Sequence, residues 1–199
     1  YDFLPAAPRP PDFRIGAGMT ELWLVRHGQT DWNLEGRMQG QSDIPLNEVG
    51  LTQASEAAQR LADAAFAAVY SSDLLRARVT AETIAAPHEL PVRVDARLRE
   101  ICQGEWEGQH YLPLVEAYQR LECPEDTHRA AGGETVREVA ERVRAALVAI
   151  AAAHPGQRVL VVSHGLAIAT QICLARGLPL RQVHQTILDN AEPFILTLP

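Results

Sequence analysis

The sequence contains no lysine, so all 18 of its basic residues are arginines. Arginine is the better bidentate ligand for a phosphate group. The 25 acidic residues outnumber the arginines and give a formal net charge of -7. This balance argues against nucleic acid or an anionic membrane surface as a partner, because both require a basic face. A small anionic ligand is still compatible with the charge if several arginines meet at one site.

Cysteines are few, odd in number and far apart: Cys102, Cys123 and Cys173. Without a C-x-x-C pair they predict neither a disulfide framework nor a zinc site, and we expect a reducing, cytoplasmic environment. No apolar run approaches the roughly 18 residues that a membrane span needs. A basic segment followed by a long apolar core is also missing at the N-terminus, so no secretory signal is predicted.

Length and composition indicate one globular domain. The chain has 199 residues, of which 47% are hydrophobic and 22% are charged, which are ordinary values for such a domain. Residues 1–18 are rich in proline and glycine, and we expect them to be a disordered or non-native extension ahead of Met19. The domain then covers 19–199, with a small helical or loop subdomain near 104–133.

Strands and helices are predicted to alternate along the chain. Runs of branched apolar residues predict strands at 21–25, 67–71, 91–94 and 158–163, with one or two edge strands within 185–198. Helical periodicity predicts helices over 48–64, 74–85, 110–121, 134–153 and 166–175. The expected helix caps are Asn47, Ser72 with Asp73, and Glu134. This alternation favours an α/β fold, a three-layer α/β/α sandwich with a mostly parallel central sheet.

Polar residues follow three of the predicted strands. The strands end at Arg26-His27-Gly28, at Ser71-Ser72 with Arg76 one turn further on, and at Ser163-His164-Gly165. Ligands of α/β folds bind at the carboxyl ends of the strands, so we expect these residues to meet the acidic loop 97–108. Gly28 should allow a close approach between the backbone and a ligand. Arginines, histidines and exposed amides together favour a phosphate site.

The histidine after the first strand suits a nucleophile. A neutral imidazole nitrogen of His27 can attack phosphorus and form a phosphohistidine, provided that the other ring nitrogen donates a hydrogen bond. Arg26, Arg76 and His164 would bind the equatorial oxygens, where charge accumulates in the transition state. Because side chains supply the cations, no metal is expected.

Proton transfer requires a carboxylic acid in the same place. Glu100 would protonate the leaving oxygen and later deprotonate water, with Glu105 and Glu107 as alternatives. Backbone amides at the helix start near Gly165 would add hydrogen bonds to the phosphate.

Ordered sequence blocks carry a resemblance to a known family. Arg26-His27-Gly28-Gln29-Thr30, with Asn33 after it, resembles the signature of the histidine phosphatase superfamily, which includes cofactor-dependent phosphoglycerate mutases. The similarity covers about residues 20–190 and continues in order through RMQG at 37–40, DIPLN at 43–47, SSDLLRA at 71–77, LREI at 98–101 with GEWEG at 104–108, GGET at 132–135 and SHG at 163–165. A lone Arg-His-Gly would be a weak signal, whereas six further blocks in order are a strong one.

The resemblance implies the roles already derived for His27, Arg26, Arg76, His164 and Glu100. It adds Asn33 as a ligand in the pocket. Gln39 and Gly40 are candidates for substrate contact, with a purely structural role in their loop as the alternative. Ile101-Cys102-Gln103 departs from the pattern, since relatives often have an acid and an aromatic there, and Cys102 is expected near the mouth of the pocket.

Some residues outside these roles have a functional interpretation beside a structural one. Glu134 could reach the site as well as cap a helix. Among the histidines outside the blocks, His110 is the first candidate to enter the pocket. Trp106 lies on the site loop but is expected to pack, and Cys173 is expected to be a small core residue.

Two enzymatic functions fit these residues. The first is a metal-independent phosphomonoesterase that hydrolyses a small phosphorylated metabolite without a cofactor. The alternative is a phosphoglycerate mutase dependent on 2,3-bisphosphoglycerate, in which a second hydroxyl group, rather than water, accepts the phosphoryl group. A mutase must exclude water, so a long basic insertion is expected in it. The segment between Gly108 and Gly132 is short and contains only two arginines, Arg120 and Arg129, which favours hydrolysis.

A non-catalytic phosphate-binding protein is a third option, and the complete set of reactive residues argues against it. The substrate is left open among sugar phosphates, phosphoglycerates, intermediates of cobalamin synthesis and a broad range. The oligomeric state is left open as well, with a homodimer as one option.

Overall fold

A computed structural model describes residues 18–111 and 129–199. The predicted extension 1–18 and the predicted helix 110–121 lie almost entirely outside these ranges. Cys123 and Arg120 also lie outside them, as does much of the predicted subdomain near 104–133.

A five-stranded sheet forms the middle of the fold. Its strands are β1 (Thr20–Arg26), β2 (Ala68–Ser71), β3 (Val92–Val94), β4 (Arg158–Ser163) and β5 (Pro193–Leu198). They lie in the order β3-β2-β4-β1-β5. All neighbouring strands are parallel except β5, which runs antiparallel to β1. The mostly parallel sheet is therefore confirmed, and Pro193 begins the edge strand, a position where a missing N–H is tolerated.

Helices cover both faces of this sheet. They are α1 (Asp31–Leu34), α2 (Glu48–Leu61), α3 (Leu75–Ala85), α4 (Val136–Ala153) and α5 (Gly165–Arg176). Successive residues of a strand point to opposite faces, so Trp23 and Val25 pack with α2 and α3, whereas Leu22 and Leu24 pack with α4 and α5. The three-layer sandwich follows from this alternation.

Of the three predicted helix caps, one is confirmed, one is confirmed only in part and one is wrong. Asn47 does cap α2, since its side chain accepts a hydrogen bond from the Gly50 amide at 2.9 Å. Before α3 the Ser72 hydroxyl accepts from the Leu74 amide at 3.3 Å. The Leu75 amide, the first of the helix itself, donates at 2.7 Å to Asp43 Oδ1, which lies in a distant loop. Asp73 is engaged by Arg99 through two charged hydrogen bonds of 2.6 and 2.7 Å.

At α4 the cap is one residue later than predicted. Thr135 accepts from the Glu138 amide, and the Glu138 side chain accepts from the Thr135 amide, which makes a reciprocal capping box. Glu134 is thereby free for another contact and forms an ion pair with Arg142 at 2.8 Å. None of the helices within the described ranges is long and apolar enough to cross a membrane.

Candidate active site

The parallel register of β1 and β4 sets two histidines side by side. Arg26 pairs with Ser163 at the ends of these strands, and the His27 amide donates to the Ser163 carbonyl at 3.0 Å. The next residue of each chain segment is a histidine, and the His27 and His164 rings lie edge to face with centroids 5.1 Å apart. The predicted convergence at the carboxyl edge of the sheet is present.

His27 is held in one tautomer by its own loop. Its Nδ1 lies 2.6 Å from the Gly28 carbonyl oxygen, which can only accept, so Nδ1 carries the hydrogen and Nε2 keeps a lone pair. Burial, together with the charges of Arg76 and Arg26, holds the pKa of His27 well below its usual range. The ring is therefore neutral at physiological pH, as a nucleophile requires.

His164 occupies the N-cap position of α5 but its side chain does not cap the helix. Both of its ring nitrogens are buried and have no hydrogen-bond partner among the described residues. Burial first, and then nearby positive charge, lowers the pKa of His164 well below the usual value. Buried polar groups are normally hydrogen-bonded, so the His164 ring is a candidate to contact a ligand bound at this edge of the sheet.

The two site arginines lie beside the histidines, Arg76 buried and Arg26 partly buried. Arg76 is fully buried, and its terminal nitrogens donate to the Ser42 and Gly40 carbonyls at 2.7 and 2.8 Å. Arg26 donates to the Leu188 carbonyl at 2.7 Å. The Nε atoms of both arginines are buried with no partner in the described part of the chain. Desolvation lowers the pKa of Arg76 to about 10, so it is still charged at neutral pH.

Glu100 lies at the N-terminus of α5 and lines the same pocket. Its Oε1 accepts from the Ile101 and Ala167 amides, both at 3.0 Å, and its Oε2 accepts from the Leu166 amide at 3.1 Å. Of the amides at the start of this helix that were expected to bind phosphate, those of Leu166 and Ala167 are occupied by Glu100. The Gly165 amide is the one that stays available next to His164.

The alternative acids do not line the pocket. Glu107 accepts hydrogen bonds from the Gln41 amide at 2.9 Å and the Ser42 hydroxyl at 2.5 Å, so it fixes a loop. Glu105 is exposed and lies outside the pocket lining. Glu134 is also outside it, paired with Arg142. Glu100 is accordingly the carboxylate that geometry favours among the candidates named from the sequence.

Three predicted substrate contacts line the pocket as well: Asn33, Gln39 and Gly40. Asn33 completes the capping box of α1 through Oδ1, and Gln39 Oε1 accepts from the Thr30 hydroxyl at 2.9 Å. Both carbonyl oxygens are thus engaged by Thr30, which leaves the amide NH₂ groups as donors. Gly40 has a further structural role, since an added Cβ there would lie 2.2 Å from Glu107 Oε1.

Gly28 allows a close approach, but by the protein itself rather than by a ligand. A Cβ at Gly28 would lie 2.4 Å from the Gly50 carbonyl oxygen, and one at Gly50 would lie 2.1 Å from the Gln29 carbonyl oxygen. The two glycines let the loop after β1 pack on the first turn of α2. The expectation that Gly28 lets a ligand approach is therefore wrong, because the space beside it is filled by the Gly50 backbone.

The pocket also contains residues to which the sequence assigned no role. These are Arg37, Met38, Ile101, Gln103, Tyr111, Leu166, His184 and Ile187. Among the histidines, His184 rather than His110 lines the pocket, because the turn Leu180–Thr186 folds back after α5. Arg37, Met38 and Ile101 belong to matching blocks, which was the available signal, whereas nothing in the local pattern marks His184 or Ile187.

The remaining candidates have structural surroundings. Cys102 does not line the pocket, although its neighbours do, and its thiol donates to the Gly132 carbonyl at 3.4 Å. Cys173 is fully buried in the core, as predicted. Within the described ranges no group of three or more histidine, cysteine, aspartate or glutamate residues is placed to hold a metal ion.

Comparison with known proteins agrees with this geometry. A model of the histidine phosphatase superfamily, branch 1, matches residues 22–198. A relative from Cronobacter sakazakii, named probable phosphoglycerate mutase GpmB, is 42% identical over 165 residues, which cover 81% of this chain and 77% of that protein.

Solved structures of phosphatases are similar over nearly the whole chain. A mycobacterial glucosyl-3-phosphoglycerate phosphatase in complex with VO3 has a TM-score of 0.78 at 34% identity, covering 88% of this chain and 90% of that one. A variant of phosphoserine phosphatase from Entamoeba histolytica in complex with phosphoserine has a TM-score of 0.79 at 30% identity, covering 89% of each chain.

Proposed function

The chain belongs to branch 1 of the histidine phosphatase superfamily, and on this basis we propose that it is a metal-independent phosphomonoesterase acting through a phosphohistidine on His27. One observation carries the proposal. Around a neutral, tautomer-fixed His27 lie four buried polar atoms that have no partner among the described residues, namely Arg26 Nε, Arg76 Nε and both ring nitrogens of His164. A phosphoryl group supplies acceptor oxygens for the two arginine N–H groups and for the one ring nitrogen of a neutral His164 that carries hydrogen.

The first half of the reaction forms the phosphoenzyme. His27 Nε2 attacks phosphorus, the N–P bond forms and the bond from phosphorus to the leaving oxygen breaks. Glu100 gives a proton to that oxygen, so the product leaves as an alcohol. Oε1 of Glu100 already accepts two amides and Oε2 only one, which leaves a lone pair on Oε2 to carry the proton.

The second half returns the enzyme to its starting state. Glu100 takes a proton from water, the resulting hydroxide attacks phosphorus, and the N–P bond breaks to release inorganic phosphate. Arg26 and Arg76 are already fixed by carbonyl groups of neighbouring loops. They can therefore stabilise the charge of the transition state with little reorganisation.

The partner in this reaction would be a small phosphorylated metabolite, and the mechanism needs neither a metal nor an organic cofactor. The solved relatives act on glucosyl-3-phosphoglycerate and phosphoserine by name. Phosphate esters of small alcohols that carry a carboxylate are therefore the first substrates to test.

Phosphoglycerate mutase activity is the second candidate, because curated relatives such as that of Cronobacter sakazakii carry that name with the word probable. A mutase would retain a bisphosphorylated intermediate and so needs extra positive charge. Among the described pocket residues, Arg37 is the one arginine besides Arg26 and Arg76, and its Nε is paired with Glu35 at 2.6 Å. This limited charge favours water as the acceptor.

Hydrolysis of 4-nitrophenyl phosphate tests the mechanism. Turnover should persist in excess chelator and be lost in His27→Ala. His154→Ala is the matched control, since His154 is a buried histidine bonded to Tyr70 and Gln157 outside the pocket. Undiminished turnover by His27→Ala would refute the nucleophile, and inhibition by the chelator would refute metal independence.

Trapping the intermediate and measuring isomerisation separate the two candidates. Rapid quenching with a labelled substrate should leave acid-labile, alkali-stable phosphate on the wild-type protein and none on His27→Ala. A panel of metabolite phosphates should be hydrolysed at measurable kcat/KM, while 3-phosphoglycerate should not be isomerised at a comparable rate in the presence of 2,3-bisphosphoglycerate. Rapid isomerisation would instead establish the mutase.

A further inference from the structure

An ion pair outside the pocket holds the chain segment that carries Glu100. Glu134 precedes α4 and Arg142 lies within it, and the two side chains form paired charged hydrogen bonds of 2.9 and 2.8 Å. Both are mostly buried, with 20% and 23% of the side chains of Arg142 and Glu134 exposed. Neither residue lines the pocket, so the pair has no direct contact with a substrate there.

The pair reaches the backbone on both sides of Glu100. Arg142 donates to the carbonyls of Arg97 and Arg99 at 2.8 and 3.0 Å and to that of Glu100 at 3.3 Å. On the other side, Glu134 Oε2 accepts from the Cys102 amide at 2.9 Å. Three carbonyls and one amide of a six-residue segment are therefore fixed by two side chains.

This segment has little regular structure of its own. A single 3-10 turn covers Ala96–Leu98, and residues 99–103 belong to no helix or strand. Without a ladder of backbone hydrogen bonds, the position of a loop depends on the side chains that bind its carbonyls and amides. Because Glu100 must also meet the amides of α5, its carboxylate has to be placed within a narrow range.

We infer that Glu134 and Arg142 are positioning residues for Glu100, acting through the backbone of residues 97–102. The inference rests on the proposed function, because it concerns the proton that Glu100 transfers in that reaction. The ion pair connects α4 to the loop, and the loop connects to the N-terminus of α5 through the Glu100 carboxylate. Loss of either partner shifts the acid while leaving His27 and the phosphate-binding arginines in place.

The dependence of the rate on the leaving group distinguishes this role from a general structural one. An alkoxide is a poor leaving group and needs the proton from Glu100, whereas a nitrophenolate leaves without it. Misplacing a catalytic group by about an ångström costs on the order of 100-fold in rate. A misplaced acid should therefore slow the transfer from an alkyl phosphate far more than the transfer from an aryl phosphate.

The experiment compares kcat/KM for glycerol phosphate and for 2,4-dinitrophenyl phosphate, since kcat/KM reports on formation of the phosphoenzyme. Arg142→Gln and Glu134→Gln should each lower kcat/KM for glycerol phosphate about 10- to 100-fold more than kcat/KM for 2,4-dinitrophenyl phosphate. The ratio of these two kcat/KM values is therefore the quantity to compare between variants. Val143→Ala, a buried substitution on the same helix, controls for lost stability and should leave the ratio unchanged. Glu134→Gln keeps the shape of the side chain, so it provides the test if Arg142→Gln does not fold.

A double-mutant cycle completes the test. In a Glu100→Gln background the acid is already missing, so adding Arg142→Gln should change the ratio by less than about twofold. Arg142 also helps to lower the pKa of His164, but an effect through His164 would act on both substrates alike and cancel in the ratio.

Equal losses for the two substrates, or full additivity with Glu100→Gln, would overturn the inference. The proposed function fails separately, if the wild-type protein hydrolyses neither ester or if His27→Ala retains activity.

Discussion

Arg26 lies opposite Ser163 in the parallel register of β1 and β4, and the residue after each of them is a histidine. The His27 and His164 rings therefore meet at one edge of the sheet, 5.1 Å apart between centroids. Arg76 and Arg26 are close enough to both rings to disfavour a proton on either of them. Strand pairing thus produces a neutral histidine pair in positive surroundings.

The stability of the protein should decrease as the pH falls below about 6.5. In the unfolded chain the histidine pKa is near 6.5, whereas burial holds the pKa of His27 and His164 well below that value in the folded state. Below pH 6.5 the unfolded state binds protons at these two histidines, whereas the folded state does not. The free energy of unfolding then falls by up to about 1.4 kcal/mol per pH unit for each histidine.

Urea unfolding between about pH 5 and pH 8 measures this effect. His27→Gln should flatten the pH dependence, because one of the two titrating groups is removed. Hydrogen bonds from Arg99 lower the pKa of Asp73, so its contribution is lost only below about pH 4 and does not interfere. An equal slope in wild type and variant would contradict the assignment to His27.

Replacement of Arg76 by methionine should reduce kcat/KM by about 100- to 1,000-fold, the range for removal of one preorganised donor. The Gly40 and Ser42 carbonyls also lose their partner, so the free energy of unfolding should fall by about 1–3 kcal/mol. Kinetics with 4-nitrophenyl phosphate and urea unfolding measure the two effects.

Arg78→Met is the matched control two residues further along α3. Arg78 is about half exposed and is paired with Glu82 at 3.6 Å, so the change should cost less than about 0.5 kcal/mol and leave kcat/KM unaltered. Similar activity of the two variants would show that the Arg76 guanidinium does not act on the substrate.

Gly28→Ala should destabilise the fold by about 1–3 kcal/mol, the usual cost of an overpacked interior. Its new Cβ would lie 2.4 Å from the Gly50 carbonyl oxygen, which belongs to rigid backbone. Gly50→Ala should have a similar effect from the other side. Once α2 has moved away, the second substitution should add little. In urea unfolding, the double variant should therefore lose less free energy of unfolding than the two single variants lose together.

Asp43→Ala should lower the free energy of unfolding by about 0.5–2 kcal/mol, the range for loss of a helix cap. The reason is the hydrogen bond from the Leu75 amide to Asp43 at 2.7 Å. Exposed Asp63 lies just beyond the last turn of α2, and Asp63→Ala should change stability by less than about 0.5 kcal/mol. Equal effects in urea unfolding would mean that the distant cap contributes nothing.

The sheet and the main site residues could be predicted from sequence because their signals are local. The run Val159–Val162 is apolar throughout, as a strand buried on both faces should be, and β4 starts and ends where predicted. His27 and His164 each follow such a run after one intervening residue, so the rule for the carboxyl ends of parallel strands was enough to bring them together.

Contacts between distant residues account for the errors. Nothing near Leu75 in the sequence indicates that Asp43, 32 positions earlier, caps α3. The same holds for Gly28 and Gly50, whose small size serves helix packing. His184 enters the pocket through the path of the turn after α5, and hydrophobic periodicity carries no information on that path.

The position of β5 at the edge beside β1 has a consequence for protein synthesis. Arg26 donates to the Leu188 carbonyl, and the Asn190 side chain donates to the His27 carbonyl, across separations of 162 and 163 positions. The part of the site around Arg26 and His27 is therefore held by residues that are translated more than 160 positions later. A nascent chain can form β1 early, but it acquires a finished catalytic centre only after residues 188–190 have emerged from the ribosome.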